Sequence, residues 1–529
     1  MGVKRSADLE SAVQAALDAA ARTGETQWVG LQAEIPPCDV LAAFEASESR
    51  DRFYWERPSE GRSIAAFGCA AAIETEAKAE AEAEVEGQRR FSEASERAEQ
   101  LFARLHLFGH GAPATAGPFL VGGFAFSNLA STERHWLDFP TGRLVLPEVA
   151  ISVSGGRGWC TVVRPVQPAE AAQSSEAVQS SEAAQSTGAA QSSEAVESVE
   201  PAENVQAGQD ARCGTRVRTI CDEMRAGLDE VGCSLANRSL FEASRAPIAE
   251  VSAPLDYHAC ADRTHADYRA QVEAALREIA NGGFEKVVLA RSISVREKGD
   301  YDPCALLNTL RQAHPTCAIF AVARPGVVFL GATPECLVRL IDNRVETASV
   351  AGSAPRGRSP EEDLELGRQL RESKKEQTEH AFVVRALCDA LAPHCDGLEV
   401  RESPRLMRLQ DIQHLETPIT GHLRAHRSIL ELLGLVHPTP AIAGAPREAA
   451  LEWLNRNENL DRGWYSGPIG YADSEGGGEF YAALRSAVLR GSEARLFAGA
   501  GVVAGSDPEA ELRETRLKLR AMLAPLMEI

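Results

Sequence analysis

No apolar run in the 529-residue chain approaches the length of a membrane span, which excludes a helical membrane protein. The amino terminus, "MGVKRSADLESAVQAALDAA", lacks the apolar core of a secretion signal, so a cytoplasmic location is expected. It matches the myristoylation pattern only through Gly2 and Ser6, and a pattern this short arises easily by accident. The twelve cysteines contain no C-x-x-C pair, which argues against both a zinc site and a disulfide framework and for reduced thiols. Basic residues are in short supply: 55 Lys and Arg stand against 76 Asp and Glu, a net charge of −21. That balance argues against nucleic acid or an anionic membrane as main partner. A small anionic substrate stays open, because a few local side chains can overcome the global sign. What remains is ordinary for a soluble globular chain, with 44% hydrophobic and 25% charged residues and length enough for a large core.

Along the chain, residues 1–165 contain strand-like pieces such as "FLVGGFAF" and "LVLPEVAISV". An Ala/Glu-rich stretch from Glu74 to Leu105 is read as a solvated, charged helix. From Ala171 to Glu200 the hexads AAQSSE, AVQSSE, AAQSTG, AAQSSE and AVESVE follow one another. They lack the large hydrophobes that offset ordering entropy, so 166–209 is expected to be a disordered insertion. A connecting segment, 210–265, follows and reads as irregular between Arg212 and Ala253. From 266 to 525 the pattern becomes dense. "HADYRAQVEAALREIANGG" is an amphipathic helix, "FEKVVLARSISV" a strand, and "CAIFAVARPGVVFLGATPECLVRL" two or three strands. Leu366 to Leu391 lacks proline and reads as one long helix. "SGPIGYADSEGGGEFYAALRSAVLRGSEARLFAGAGVV" reads as a strand meander, and a final helix spans Pro508 to Leu523. Strands and helices do not strictly alternate, which points to an α+β fold with antiparallel sheets.

Two helices carry the same short pattern. "SKKEQTEHAF" holds Glu376 and Glu379, and "DPEAELRETRLKLRAML" holds Glu511 and Glu514, each pair three residues apart and so on one helical face. One such pair is usually a solvated face. Two pairs that converge would make an anionic oxygen cage suited to Mg²⁺. Spacing alone leaves both readings open, and Glu514 could simply pair with Lys518 one turn on. "FAGAGVVAG" contains G-x-G-x-x-A at Gly499, Gly501 and Ala504, but the chain ends after one more helix, so a dinucleotide fold is rejected. Those glycines still let a ligand carboxylate approach the backbone. Gly444 and Pro446 before a helix decide nothing alone. Lys286, in the apolar strand "EKVVLAR", could serve as a base if partly buried. Glu335, after the Thr-Pro turn in "GATPECLV", could be an acid if burial keeps it protonated. Taken singly, an edge lysine and a turn carboxylate are the plainer readings.

Taken together, the motifs resemble the chorismate-utilising enzymes. "KVVLAR", "FLGATPECLVR", "SVAGSAPRGR", "SKKEQTEHAFVV", "MRLQDIQHLETPITG", "HPTPAIAGAP", "GWYSGPIGY", "AALRSA" and "FAGAGVVAGSDPEAELRET" occur in the family's order between Ala266 and Leu523. The N-terminal block, with "GGFAF", looks like the family's more variable portion, and the hexads have no counterpart in its usual pattern. The resemblance implies large packed antiparallel β-sheets with helices outside, and Mg²⁺ as cofactor. Within the family the chain is similar to the isochorismate synthases. Enzymes that add water carry the lysine found here as Lys286, where ammonia-adding relatives usually have glutamine. Ala351 stands where aminodeoxychorismate synthases have a nucleophilic lysine, leaving water as the attacking group.

By the same resemblance, Lys286 is the general base and Glu335 the general acid in converting chorismate to isochorismate. Glu379 and Glu514 match direct magnesium ligands, with Glu376 and Glu511 acting mostly through water. Arg485, Lys518, the backbone at Gly499 and Tyr465 match substrate contacts. His380 is read as packing or orientation. A monomer without a glutaminase subunit is expected. The main rival is a salicylate synthase, which goes on to eliminate pyruvate; a non-catalytic chorismate-binding protein is the rival from another class. The resemblance leaves the pathway open between menaquinone, a catechol siderophore and salicylate.

Overall fold

The structure, a computed structural model, describes residues 4–77, 88–109, 112–168, 216–229 and 257–527. The hexad repeat lies outside these residues. Among them the strands form two large sheets, of 14 and 10 strands. All pairings are antiparallel except those of Leu105–Phe108 with Lys4–Ser6 and with Gln27–Ile35, which are parallel. Both sheets mix early and late chain. Arg52–Arg57 pairs with Ala318–Arg324 in the larger sheet, and Phe119–Phe124 pairs with Pro468–Asp473 in the smaller. No described helix is long and apolar enough to cross a membrane.

An aromatic core lies between the sheets. Phe53, Trp55 and Phe329 of the larger sheet pack with Phe119, Tyr471 and Tyr481 of the smaller, and Trp55 meets Tyr481 edge-on at 5.1 Å between ring centres. The helices Val40–Ala46, Pro303–Ala313 and Pro508–Met527 cover the larger sheet through Phe44, Leu306, Leu310, Leu519 and Met522. This is the expected α+β architecture of packed antiparallel sheets with helices outside.

Four local expectations differ from the structure. The single helix expected from Leu366 to Leu391 is two helices, Pro360–Glu372 and Lys374–Leu391. Ser373 leaves helical geometry (φ −67°, ψ 114°), and its hydroxyl accepts from the Glu376 N–H as the cap of the second. The Glu376–Glu379 pair therefore sits on a first helical turn. The expected meander is two hairpins in different sheets: Pro468–Asp473 with Gly478–Ala482 in the smaller, Ser486–Arg490 with Glu493–Val503 in the larger. The helix Arg89–Ala103 is more than a solvated face, because Phe91, Ala94, Ala98, Leu101 and Phe102 form a buried stripe against the helix Ile429–Val436. Within the segment read as irregular, 216–229 is helical, with Val217, Cys221 and Met224 buried against the helix Leu9–Thr23.

Candidate active site

The chain crosses between the sheets twice at one place. Val327–Thr333 lies in the larger sheet and Cys336–Ile341 in the smaller, so Pro334 and Glu335 form the first crossing. Gly478–Ala482 returns to Ser486–Arg490 through Ala483, Leu484 and Arg485. The crossings run side by side, with Ala482 N–H donating to the Glu335 carbonyl (3.0 Å) and Ala332 N–H to the Arg485 carbonyl (3.1 Å). Arg485 makes its turn at φ +45°, a left-handed conformation that a side chain resists, and strain of this kind concentrates at functional sites. A cleft of about 720 Å³ opens at this seam, walled by Glu335, Ala351, Glu379, His414, Tyr465, Arg485, Gly499, Gly501, Glu514 and Lys518, among others.

Lys286 opens the strand Lys286–Arg296, whose first seven residues are all buried and which lies in the larger sheet between Glu493–Val503 and His258–Ala261. Its side chain is fully buried, and Nζ lies 3.0 Å from Glu379 Oε1. Nζ makes no well-directed hydrogen bond there, so the two groups meet by proximity alone. Gly501, on the neighbouring strand, leaves the room: a Cβ there would collide with the Glu379 carboxylate. Lys286 thus stands behind the cleft wall, and Glu379 faces the cleft in front of it.

Burial pushes the Glu335 carboxyl up to about 7, against the opposing pull of Lys286 and Lys518. Its one described side-chain partner is the Thr439 hydroxyl, donating at 3.4 Å. A carboxyl so placed can hold a proton near neutral pH and give it to a leaving group.

The two acidic turns come together. Lys375 spans them, with Nζ 2.8 Å from Glu511 Oε1 and 3.2 Å from Glu376 Oε1. Ser353 N–H donates to Glu376 at 3.2 Å, from a bulge where Gly352 takes φ +77°. On the final helix, Lys518 Nζ lies 2.7 Å from Glu514 and donates to the Gly499 carbonyl at 3.0 Å. Burial raises Glu376, and the Glu379 charge adds to it. Burial and the Glu514 charge raise Glu511. Burial would raise Glu514 as well, but Lys518 holds it below the usual carboxylate range. Glu379 and Glu514 line the cleft; Glu376 and Glu511 do not.

Among the described residues no three His, Cys, Asp or Glu side chains form a ready-made metal cluster. The donor set nonetheless fits a hard divalent cation. It is all oxygen, its carboxylates repel one another, and Glu511 Oε2 is buried without a hydrogen-bond partner.

Sequence reasoning named Arg485, Lys518, Gly499, Tyr465 and Ala351, and all line the same cleft. Tyr465 stacks on Phe497 at 5.1 Å. His380 is buried; its Nε2 accepts from the Thr417 hydroxyl (2.8 Å) and its Nδ1 donates to the Ala351 carbonyl (3.3 Å), a packing and orienting arrangement. Three residues were missed. His414 is buried and accepts from Arg485 through Nε2 at 2.8 Å, while Nδ1 donates to the Gly352 carbonyl at 3.2 Å. Burial, with Arg485 and Lys518 nearby, drives its pKa well below the ordinary value, so it is neutral. Thr439 and Lys375 are the others. Lys375 stands beside the noticed glutamate pair, and that adjacency was the available signal; no signal singled out Thr439.

Fold and site together define an enzyme of the chorismate-binding class. The chain belongs to the family described as chorismate binding enzyme, whose pattern matches residues 13–230 and 217–527. The match therefore extends well beyond the Ala266–Leu523 region. The particular relatives are isochorismate synthases. The Pseudomonas aeruginosa protein named salicylate biosynthesis isochorismate synthase is 33% identical over 504 residues, 94% of this chain and 89% of that protein. The isochorismate synthase MenF of Bacillus subtilis is 28% identical over 514 residues, 97% of this chain and 96% of that one. Among solved structures, the menaquinone-specific isochorismate synthase MenF from Escherichia coli matches with a TM-score of 0.66 at 22% identity, over 97% of this chain and 100% of that chain, a likeness of fold.

Proposed function

We propose that the chain is an isochorismate synthase that isomerises chorismate to isochorismate. The observation that carries the reading is a fully buried lysine, 3.0 Å from Glu379, behind the wall of a cleft that the buried carboxyl of Glu335 also lines. Lys286, acting as the amine, takes a proton from water. The water oxygen bonds to C2, the ring double bonds shift, and the C4–O bond breaks. Glu335 gives its proton to the departing hydroxyl, which leaves as water, so one water enters and one leaves. Arg485, Lys518 and the backbone at Gly499 hold the substrate carboxylates, and Tyr465 and Ala351 shape the wall. His414 fixes the Arg485 guanidinium.

Glu379 and Glu514 would hold Mg²⁺, with Glu376 and Glu511 supporting its water shell. Bound there, the ion would supply the positive charge that an acidic site needs in order to accept a dianion. We propose further that the enzyme works in the cytoplasm as a monomer, without a glutaminase subunit. The word salicylate in the Pseudomonas aeruginosa relative's name favours that pathway over menaquinone or a catechol siderophore. It also keeps pyruvate elimination as the second reading.

Incubation with chorismate and Mg²⁺, followed by chromatography, tests this. Isochorismate alone, lost on adding a chelator, is the expected result. Salicylate plus pyruvate would move the assignment to a salicylate synthase, and no product would overturn it.

A further inference from the structure

Three lysines reach into the acidic cluster. Lys286 pairs with Glu379 and Lys518 with Glu514, and both belong to the proposed reaction. Lys375 has no part in it, yet it alone among these three lysines joins the two acidic turns, which lie on separate helices. Its ammonium is close to both outer carboxylates, and Glu511 beneath it is almost fully buried, with one oxygen unpartnered. An uncompensated carboxylate in that position is costly.

We propose that Lys375 is a tethered stand-in cation: it neutralises the Glu376–Glu511 side of the cage whenever no divalent ion is bound, and its charge opposes the ion that binds. Lys375 is thus a positioning residue that weakens metal affinity in exchange for keeping the two acidic turns together. The inference rests on the magnesium reading above. Linkage makes it specific. If the ammonium stabilises the ion-free protein more than the ion-bound protein, its removal must both destabilise the former and tighten metal binding.

The test uses the full chain as wild type, Lys375→Met and Lys375→Arg. Melting is followed in chelator and in saturating Mg²⁺, and Mg²⁺ alone is titrated calorimetrically. Lys375→Met should melt below wild type in chelator, regain most of the gap in Mg²⁺, and bind Mg²⁺ on the order of tenfold more tightly, as expected for removing a nearby like charge. Lys375→Arg, which keeps the charge, should stay near wild type. A Met variant that melts like wild type in chelator, binds Mg²⁺ no more tightly, or fails to recover in Mg²⁺ would overturn the stand-in role. A wild type with no Mg²⁺ heat and no Mg²⁺-dependent melting would overturn the magnesium reading and this inference with it, a result distinct from a failed Lys375 comparison.

Discussion

Gly501→Ala separates positioning from chemistry, because it adds one methyl group and removes no functional group. Gly501 lies in the extended strand Glu493–Val503, opposite Val288, and its backbone is not in the left-handed region, so alanine brings no torsional strain. The new Cβ falls inside contact distance of the Glu379 carboxylate and 3.2 Å from Lys286 Cε. The carboxylate ends a flexible side chain and can retreat, so the stability cost is about 1 kcal/mol and the melting temperature should fall by only about 2 °C. The retreat, roughly 1 Å, breaks the Lys286–Glu379 pair and shifts a proposed metal ligand. A displacement of that size costs on the order of 100-fold in rate, or about 2.7 kcal/mol of barrier. Steady-state kinetics of isochorismate formation and a thermal melt, on one preparation, read both quantities. Near-wild-type kcat/KM with an unchanged melt would refute the argument that this carboxylate position controls turnover.

Other predictions follow from the same site. Lys286→Ala should abolish turnover while chorismate binding, read by calorimetry, largely persists; retained turnover would remove it as the base. Because Glu335 must be protonated to act as the acid, activity should fall as pH rises through about 7. The same carboxyl binds its proton more tightly in the folded state. Its contribution to stability is therefore full below 4.5 and lost as pH rises to about 7, and urea midpoints for Glu335→Gln should lack that slope, worth about 3 kcal/mol. Glu514→Gln should flatten the magnesium dependence of activity; an unchanged titration would place the ion elsewhere. His414→Phe should raise the KM for chorismate by freeing Arg485, with kcat less affected; an unchanged KM would show that Arg485 needs no support from it.

The fold class was legible because period-2 and period-3.6 patterns survive in the dense half of the chain. Glu376 and Glu379 were legible as neighbours because helical spacing is local. Their meeting with Glu511 and Glu514 was a possibility that the repeated spacing raised and could not decide, since no periodicity links two helices so far apart; the resemblance favoured it. Ser373 was missed as a break because a serine inside an apolar-periodic run looks like any surface residue until its hydroxyl is seen capping a second helix. The false meander had a similar cause: the switch of sheets happens at Arg485, whose left-handed turn carries no glycine to announce it. His414 escaped notice because its significance lies in a hydrogen bond from the strand Ile412–Leu423 to Arg485, at the second crossing.

The mixing of early and late strands sets an order on synthesis. Phe119–Phe124 emerges from the ribosome long before Pro468–Asp473, the strand it must lie beside, and Arg52–Arg57 waits in the same way for Ala318–Arg324. Domains normally fold as units while the chain is being made, but neither sheet here can close until the last strands exist. The strand Lys286–Arg296 gains its long pairing only once Glu493–Val503 is in place, and the second acidic turn comes later still. The chain is therefore long exposed with unpaired strand edges, and the helix carrying Glu511 and Glu514 joins the candidate site only after the strands of both sheets have been made.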